Sequence, residues 1–145
     1  MLNYINKIIT LFTCLLIFIS CSKSPGVGGK ATIKGKVIVN NVNVLADSIF
    51  YDAQDHDVFI IYGDNNNTYD DDFSTSHDGT FEFKYLNPGN YEIFLYSDFI
   101  CKANNPSNPH DHPKNQDSLI KINTTIVSKK DVNDLGEIIV INDIN

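Results

Sequence analysis

The strand pattern of this chain is clearest in residues 78–96, which read Asp78-Gly79-Thr80-Phe81-Glu82-Phe83-Lys84-Tyr85-Leu86-Asn87-Pro88-Gly89-Asn90-Tyr91-Glu92-Ile93-Phe94-Leu95-Tyr96. Apolar and polar residues alternate on both sides of Pro88-Gly89, as expected for two half-buried β-strands. Two sets of side chains would each share one face of a strand, namely Phe81, Phe83 and Tyr85, and Tyr91, Ile93 and Leu95. Because Pro88 fixes φ and Gly89 accepts a positive φ, the stretch predicts a β-hairpin closed by a type II turn.

Further strands are predicted at residues 32–39, 57–63, 120–126 and 135–141. In the first of these, Ile33, Val37 and Val39 fall on one face, whereas residues 57–63 form a continuous apolar run that is typical of a strand covered on both faces. Residues 21–145 contain no convincing amphipathic helix. The pattern therefore predicts an all-β fold, a single antiparallel Greek-key β-sandwich of about seven strands.

Residues 78–93 also carry a family resemblance. The pattern Asp78-Gly79-x-Phe81-x-Phe83-x-x-Leu86-x-Pro88-Gly89-x-Tyr91-x-Ile93 resembles the carboxypeptidase regulatory-like, or transthyretin-like, β-sandwich domains, which are related to the carbohydrate-binding-like fold. The segments Ile33–Val37 and Leu135–Ile138 stand where such domains place their first and last strands. The resemblance implies a transthyretin-like sandwich of the kind found in small envelope lipoproteins of Bacteroidetes. It transfers no catalytic residue, because the motif positions fill a core.

The first twenty-one residues are typical of a secretory signal. Lys7 precedes an apolar run over residues 8–19 that is too short to span a bilayer, and the small residue Ser20 precedes Cys21. The ending resembles a bacterial lipobox, in which the cysteine is lipidated and becomes the new N-terminus. The predicted organisation is a cleaved signal peptide at 1–20, lipidated Cys21 with a flexible glycine-rich tether at 21–30, and the sandwich domain at 31–145.

The residues after Cys21 suggest a location. Ser22 at the next position resembles export to the outer membrane, and the lack of an acidic cluster there favours its periplasmic face over the cell surface. The expected localisation is thus the cell envelope, with the membrane contacted through the lipid on Cys21.

Net charge restricts the partners. The chain has eleven Lys, no Arg and eighteen acidic residues, for a net charge of −7. Bidentate phosphate recognition favours the guanidinium group, so an acidic chain without Arg is a poor match for nucleic acid or for anionic head groups. No nucleic-acid partner is predicted. The remaining partners are an envelope protein and a saccharide.

The acidic stretch at residues 64–72 is a candidate calcium loop, because hard cations prefer several carboxylate oxygens. Its candidate ligands are Asp64, Asp70, Asp71 and Asp72. The spacing does not match the helical calcium loop, which needs Gly where Tyr69 stands and Glu where Thr75 stands. A solvated acidic loop is the alternative interpretation.

A second candidate metal site combines Cys101 with His110 and His112, since thiolate and imidazole suit zinc. The surrounding Pro- and Asn-rich segment at 102–118 is equally typical of a solvated loop, and the spacing matches no strong structural-zinc pattern. No catalytic motif is present. We therefore predict no cofactor, with calcium or zinc as the open alternatives.

Phe94 and Tyr96 lie on the strand face opposite Ile93 and Leu95. If the second sheet does not cover that face, these two rings could stack on a saccharide or a protein. The predicted function is a non-enzymatic accessory or protein-interaction module anchored in the envelope. The alternative is a carbohydrate-binding or metal-binding lipoprotein.

Overall fold

The computed structural model describes residues 24–42, 48–63, 68–98 and 117–143. Five predicted site residues lie outside the described residues: Cys21, Asp64, Cys101, His110 and His112. In the described part of the chain, no helix is long and apolar enough to cross a membrane.

Eight strands in the described residues form two sheets of four. In chain order they are β1 Val27–Val42, β2 Ser48–Asp52, β3 Asp57–Tyr62, β4 Asp71–Ser74, β5 Thr80–Leu86, β6 Gly89–Asp98, β7 Asp117–Ile126 and β8 Val132–Asp143. Sheet A contains β1, β2, β5 and β8, and sheet B has the order β4-β3-β6-β7. The predicted all-β sandwich is confirmed.

The predicted hairpin at residues 78–96 is wrong. Strand β5 pairs with β1 in sheet A, whereas β6 pairs with β3 and β7 in sheet B, so Asn87-Pro88 carries the chain from one sheet to the other. Gly89 has φ = +151°, and a Cβ there would collide with the ring of Pro25. Alternation predicts that a strand exists and which face it buries, but it does not identify the neighbouring strand.

One strand pair is parallel. Strand β8 lies beside β1 in the same direction, with Val37 opposite Ile138, and the other strand pairs of the described residues are antiparallel. The turn at Ser128–Asp131 reverses the chain at the end of the sandwich where β1 begins, so β8 must run the same way as β1. The predicted antiparallel arrangement is thus confirmed apart from this one pair, and the Greek-key connection stays a prediction.

The core lies between the inner faces of the two sheets. Its largest fully buried side chains include Ile33, Val37, Phe81 and Leu86 from sheet A, and Val58, Ile60, Tyr91, Ile93, Leu95 and Ile126 from sheet B. Burying one such side chain stabilises the fold by about 1.5–3 kcal/mol. Gly35 makes room for this packing, because a Cβ there would lie 2.8 Å from the Phe81 ring.

Tyr85 does not share the face of Phe81 and Phe83 as predicted. It adopts φ = +60° and is 68% exposed, while the next residue, Leu86, is buried. A left-handed residue turns the following side chain to the other face, and its cost of about 1 kcal/mol is offset by the burial of Leu86. The alternation rule fails here because it assumes an uninterrupted strand.

The structure also corrects the predicted start of the domain. Strand β1 begins at Val27, inside the stretch predicted as a tether. The Gly26 amide donates a hydrogen bond to the Tyr91 hydroxyl at 3.0 Å, and that hydroxyl donates to the Asn87 carbonyl at 2.6 Å. The Asn87 side-chain amide donates to the Val27 carbonyl at 3.1 Å. Residues 24–30 therefore belong to the folded domain.

Candidate binding surface

Sheet B carries four aromatic rings on the face that points away from the core. Strand alternation directs Phe59, Phe94 and Tyr96 outward, and the register places Phe59 directly opposite Phe94. The rings of these two phenylalanines are stacked, with centroids 5.0 Å apart and planes 17° apart. Tyr96 meets both rings edge-on, at 5.9 Å from Phe59 and 6.1 Å from Phe94. Tyr69, just before β4, lies 4.8 Å from Phe59.

We call Phe59, Tyr69, Phe94 and Tyr96 the aromatic ridge. Its base is the stacked pair, in which Phe94 is only 9% exposed and Phe59 is half-buried. Its exposed parts are the tyrosines, with Tyr69 at 48% and Tyr96 at 49%. Each aromatic pair contributes about 0.5–1.5 kcal/mol beyond the area it buries. The contacts between the rings therefore hold the side chains of the ridge in place.

Polar and apolar neighbours surround the ridge. The register places Asp72 opposite Phe59, Lys121 opposite Phe94 and Leu119 opposite Tyr96. The Lys121 ammonium forms a 2.7 Å ion pair with Glu92 on the same face. The result is an apolar centre with charged groups beside it, which is the usual composition of a protein-binding patch.

A shallow cavity of about 360 Å³ adjoins the ridge at Tyr96. It lies between the ends of the two sheets and is lined by Val39, His56, Tyr96, Ser97, Asp98, Val140, Ile141 and Asn142. Burial lowers the pKa of His56, against a hydrogen bond to the Tyr96 backbone that raises it. The neutral imidazole is therefore the favoured form beneath this end of the ridge.

Phe94 and Tyr96 lie on the outer face, where the alternation of residues 91–96 places them. A ligand stacked on these rings stays a prediction. The other two members, Phe59 and Tyr69, were not identified from the sequence. Phe59 is hidden in a continuous apolar run and Tyr69 in an acidic stretch, and only the strand register shows that they meet Phe94 and Tyr96.

In the described part of the acidic stretch, residues 68–72, the carboxylates do not converge on one point. Asp70 accepts a hydrogen bond from the Tyr62 amide at 2.7 Å, and Asp71 and Asp72 point to opposite faces of β4 as neighbours on a strand. Burial, with added repulsion from Asp71 and Asp70, raises the pKa of Tyr62 to about 12. Within residues 24–42, 48–63, 68–98 and 117–143, no three His, Cys, Asp or Glu side chains form a metal-binding group.

The remaining site predictions concern residues outside the described ranges. Lipidation of Cys21, the calcium ligand Asp64 and the zinc ligands Cys101, His110 and His112 stay predictions.

Comparisons with known proteins leave the family open. No protein-family model matches the chain, and no curated protein matches it. Among solved structures, a candidate carbohydrate-binding protein from Pseudomonas aeruginosa is 10% identical with a TM-score of 0.42, over 81% of this chain and 91% of that one. An (S)-allantoin synthase is 12% identical with a TM-score of 0.39, and the match spans 74% of this chain but 41% of the synthase. Likenesses this distant carry no argument about function.

Proposed function

We propose that this protein is a lipid-anchored component of the cell envelope that binds a partner protein through the aromatic ridge and catalyses no reaction. The observation that carries the proposal is the ridge itself. Two tyrosines, each about half exposed, stand on a stacked phenylalanine pair on the outer face of sheet B. The fold requires an apolar inner face, but it does not require aromatic rings on the outer one.

The arrangement of the rings favours a protein over a saccharide. Sugars bind aromatic residues through open ring faces, whereas Phe59 and Phe94 cover each other's faces and Tyr69 lies against Phe59. Ring edges and tyrosine hydroxyls beside an apolar Leu119 suit the side chains of a protein surface. Tyrosine and phenylalanine are enriched at the centres of such interfaces, where a few anchor residues provide most of the affinity.

A saccharide is the second candidate ligand, and one observation favours it. The exposed Tyr69 and Tyr96 are flanked by Asp72 and by the Lys121–Glu92 pair, which offer hydrogen-bonding groups for hydroxyls. The lack of Trp in the chain counts against a sugar platform.

The anchor is proposed from the sequence alone. The apolar segment before Ser20-Cys21 supports export and lipidation, and Ser22 supports the outer membrane, on its periplasmic face. Metabolic labelling with a fatty-acid analogue tests this part separately. Labelling should disappear in Cys21→Ser, and labelling that persists in that variant contradicts the anchor.

The ridge is tested by chemical cross-linking of the full-length chain in intact cells. The Tyr69→Ser/Tyr96→Ser variant should lose the cross-linked adduct that the wild type forms. The matched control is Tyr51→Ser/Ile139→Ser, which removes two equally exposed apolar side chains from sheet A. Adducts that are equal in all three chains contradict the proposal.

The saccharide alternative is tested by thermal melts of residues 22–145 against envelope and dietary saccharides. A ligand at about a hundred times its dissociation constant stabilises the fold by roughly 2.7 kcal/mol. A shift that the ridge variant loses and the control keeps would assign the ridge to a saccharide instead of a protein.

A further inference from the structure

The end of the sandwich where the described chain begins is tightly tied to the rest of the fold. Pro25 packs against Gly89 and lies 3.7 Å from where a Cβ of Gly63 would be, and Gly26 is bonded to the Tyr91 hydroxyl. The β7–β8 turn lies at the same end, because the Thr32 amide donates to the Asp131 carbonyl at 2.9 Å. The entry point of the chain is therefore held in a fixed position on the domain.

The described lysines at this end of the sandwich differ from the other described lysines in forming no ion pairs. In the described residues, Lys34, Lys36, Lys84 and Lys121 form ion pairs with carboxylates. The described lysines in no ion pair are Lys30, Lys129 and Lys130, and all three are exposed at this end. The unpaired lysines of the described residues thus lie together at one end of the sandwich.

Large apolar side chains are exposed among these lysines. Val27, Tyr85, Val127 and Val132 are all more than half exposed, and Val127 reaches 81%. Val27 lies opposite Leu86 in the β1–β5 pair, and Val132 lies opposite Thr32 in the β1–β8 pair. We call the three unpaired lysines together with these four residues the basal surface.

The described acidic groups near the basal surface form hydrogen bonds or ion pairs within the domain. The Asp131 carboxylate accepts hydrogen bonds from the amides of Val127 and Ser128, at 2.9 and 2.6 Å, and thereby shapes the turn that presents Lys129 and Lys130. Glu82 pairs with Lys84 at 2.8 Å. Asp70, just before β4, accepts a hydrogen bond from the Tyr62 amide at 2.7 Å, and Asp71, the first residue of β4, accepts one from the Asp72 amide at 3.0 Å.

We propose that the basal surface rests on the membrane, with its lysines on anionic phospholipid head groups and its valines and Tyr85 in the interfacial layer. This placement of the basal surface depends on the anchor proposed at Cys21. Residues 21–23 can span at most about 10 Å, so a lipidated Cys21 keeps the entry point of the domain at the head groups. Each lysine near an anionic surface strengthens binding about fivefold. Tyrosine is favoured at membrane interfaces.

The test uses residues 22–145 without lipid, so its outcome is independent of lipidation and of the ridge. This chain keeps every core residue that the structure describes, from Ala31 to Val140. Sedimentation at low salt compares vesicles of equimolar phosphatidylglycerol and phosphatidylcholine with vesicles of pure phosphatidylcholine. The wild type should prefer the anionic vesicles. The Lys30→Gln/Lys129→Gln/Lys130→Gln variant should bind them no better than the neutral ones.

The matched control is Lys34→Gln/Lys36→Gln/Lys121→Gln, which changes net charge equally and should keep the preference. A wild type without preference for anionic vesicles, or an equal loss in both triple variants, overturns the proposal. Tryptophan fluorescence gives a second readout, because the chain has no Trp. Anionic vesicles should shift the emission of Val127→Trp to the blue and leave that of Tyr51→Trp unchanged. The reverse pattern would place the wrong end on the membrane.

Discussion

The outer faces of the two sheets differ although their inner faces are alike. The outer face of sheet A carries a Lys34–Asp134 pair at 3.3 Å and a Lys36–Asp52 pair at 2.7 Å. Exposed apolar side chains such as Ile139 lie on the same sheet. The outer face of sheet B carries the aromatic ridge. Exposed ion pairs add little stability and keep a surface solvated. The ridge leaves two tyrosine rings half in water, which folding alone does not explain. The exposed rings Phe50 and Tyr51 on β2 form no ring pair in the described part of the chain, whereas the four rings of the ridge contact one another. We therefore infer that sheet B is the binding face.

The ridge itself divides into a supporting and an exposed part. Phe94 is nearly as buried as a core residue, whereas Tyr96 keeps about half of its surface in water. If the ridge binds a partner, substitutions in the supporting part should lower the stability of the fold. Substitutions in the exposed part should mainly lower partner binding.

The largest effect is expected from Phe94→Ala. Truncating a buried phenylalanine costs about 3–5 kcal/mol, here at the lower end because the site lies on an outer face. Phe59 and Tyr96 both lose a ring contact, so partner binding should fall as well. Urea denaturation measures the stability. A cost below about 1 kcal/mol would mean that the stacked pair does not support the ridge.

Tyr96→Ser should separate the two roles. The lost edge contacts are worth about 1 kcal/mol, because each aromatic pair contributes about 0.5–1.5 kcal/mol. Partner binding should nevertheless fall by tenfold or more, as expected for an anchor residue at an interface centre. Affinity for the cross-linked partner, measured on folded protein, checks this. Unchanged affinity with lowered stability would make Tyr96 a structural residue only.

Acid should weaken the sheet B side through His56. Burial holds the pKa of His56 below its usual value, so the unfolded chain takes up the proton first as the pH falls. Stability should therefore be complete above about pH 6.5 and decrease below it. Urea midpoints between pH 7 and pH 5 measure this loss. A His56→Gln variant should show a flatter dependence, and an equal slope in both proteins would assign the loss to other groups.

Lys34→Ala, on the charged face of sheet A, should have the smallest effect. Its partner Asp134 is exposed and the pair is screened by water, so the melting temperature should stay unchanged within error. Partner binding should also be unchanged. A clear loss of binding in this variant would move the functional face from sheet B to sheet A.

The face that each strand buries was predictable from the sequence, but the pairing of the strands was not. Alternation correctly buried Ile33, Val37 and Val39, and it directed Phe94 and Tyr96 outward. The assignment of β5 and β6 to different sheets is a non-local property, because it depends on which strands β1 and β3 select. For the same reason the sequence did not reveal that Phe59 stacks on Phe94.

The net charge of the whole chain gave no indication of the basal surface. A net charge of −7 argues against anionic head groups when it is taken for the whole molecule. The fold separates that charge, because four described lysines are neutralised by carboxylates and three are collected at one end. The left-handed conformation of Tyr85, which exposes its ring there, breaks the alternation on which the sequence prediction relied.

The most direct test of the binding face is site-specific photo-cross-linking in intact cells. A photoreactive phenylalanine analogue replaces Tyr96 in one chain and Ile139, an exposed residue of sheet A, in the other. We expect a discrete protein adduct from position 96 and none from position 139. An adduct from position 139 alone, or the same adducts from both positions, would contradict the assignment of the aromatic ridge as the binding face.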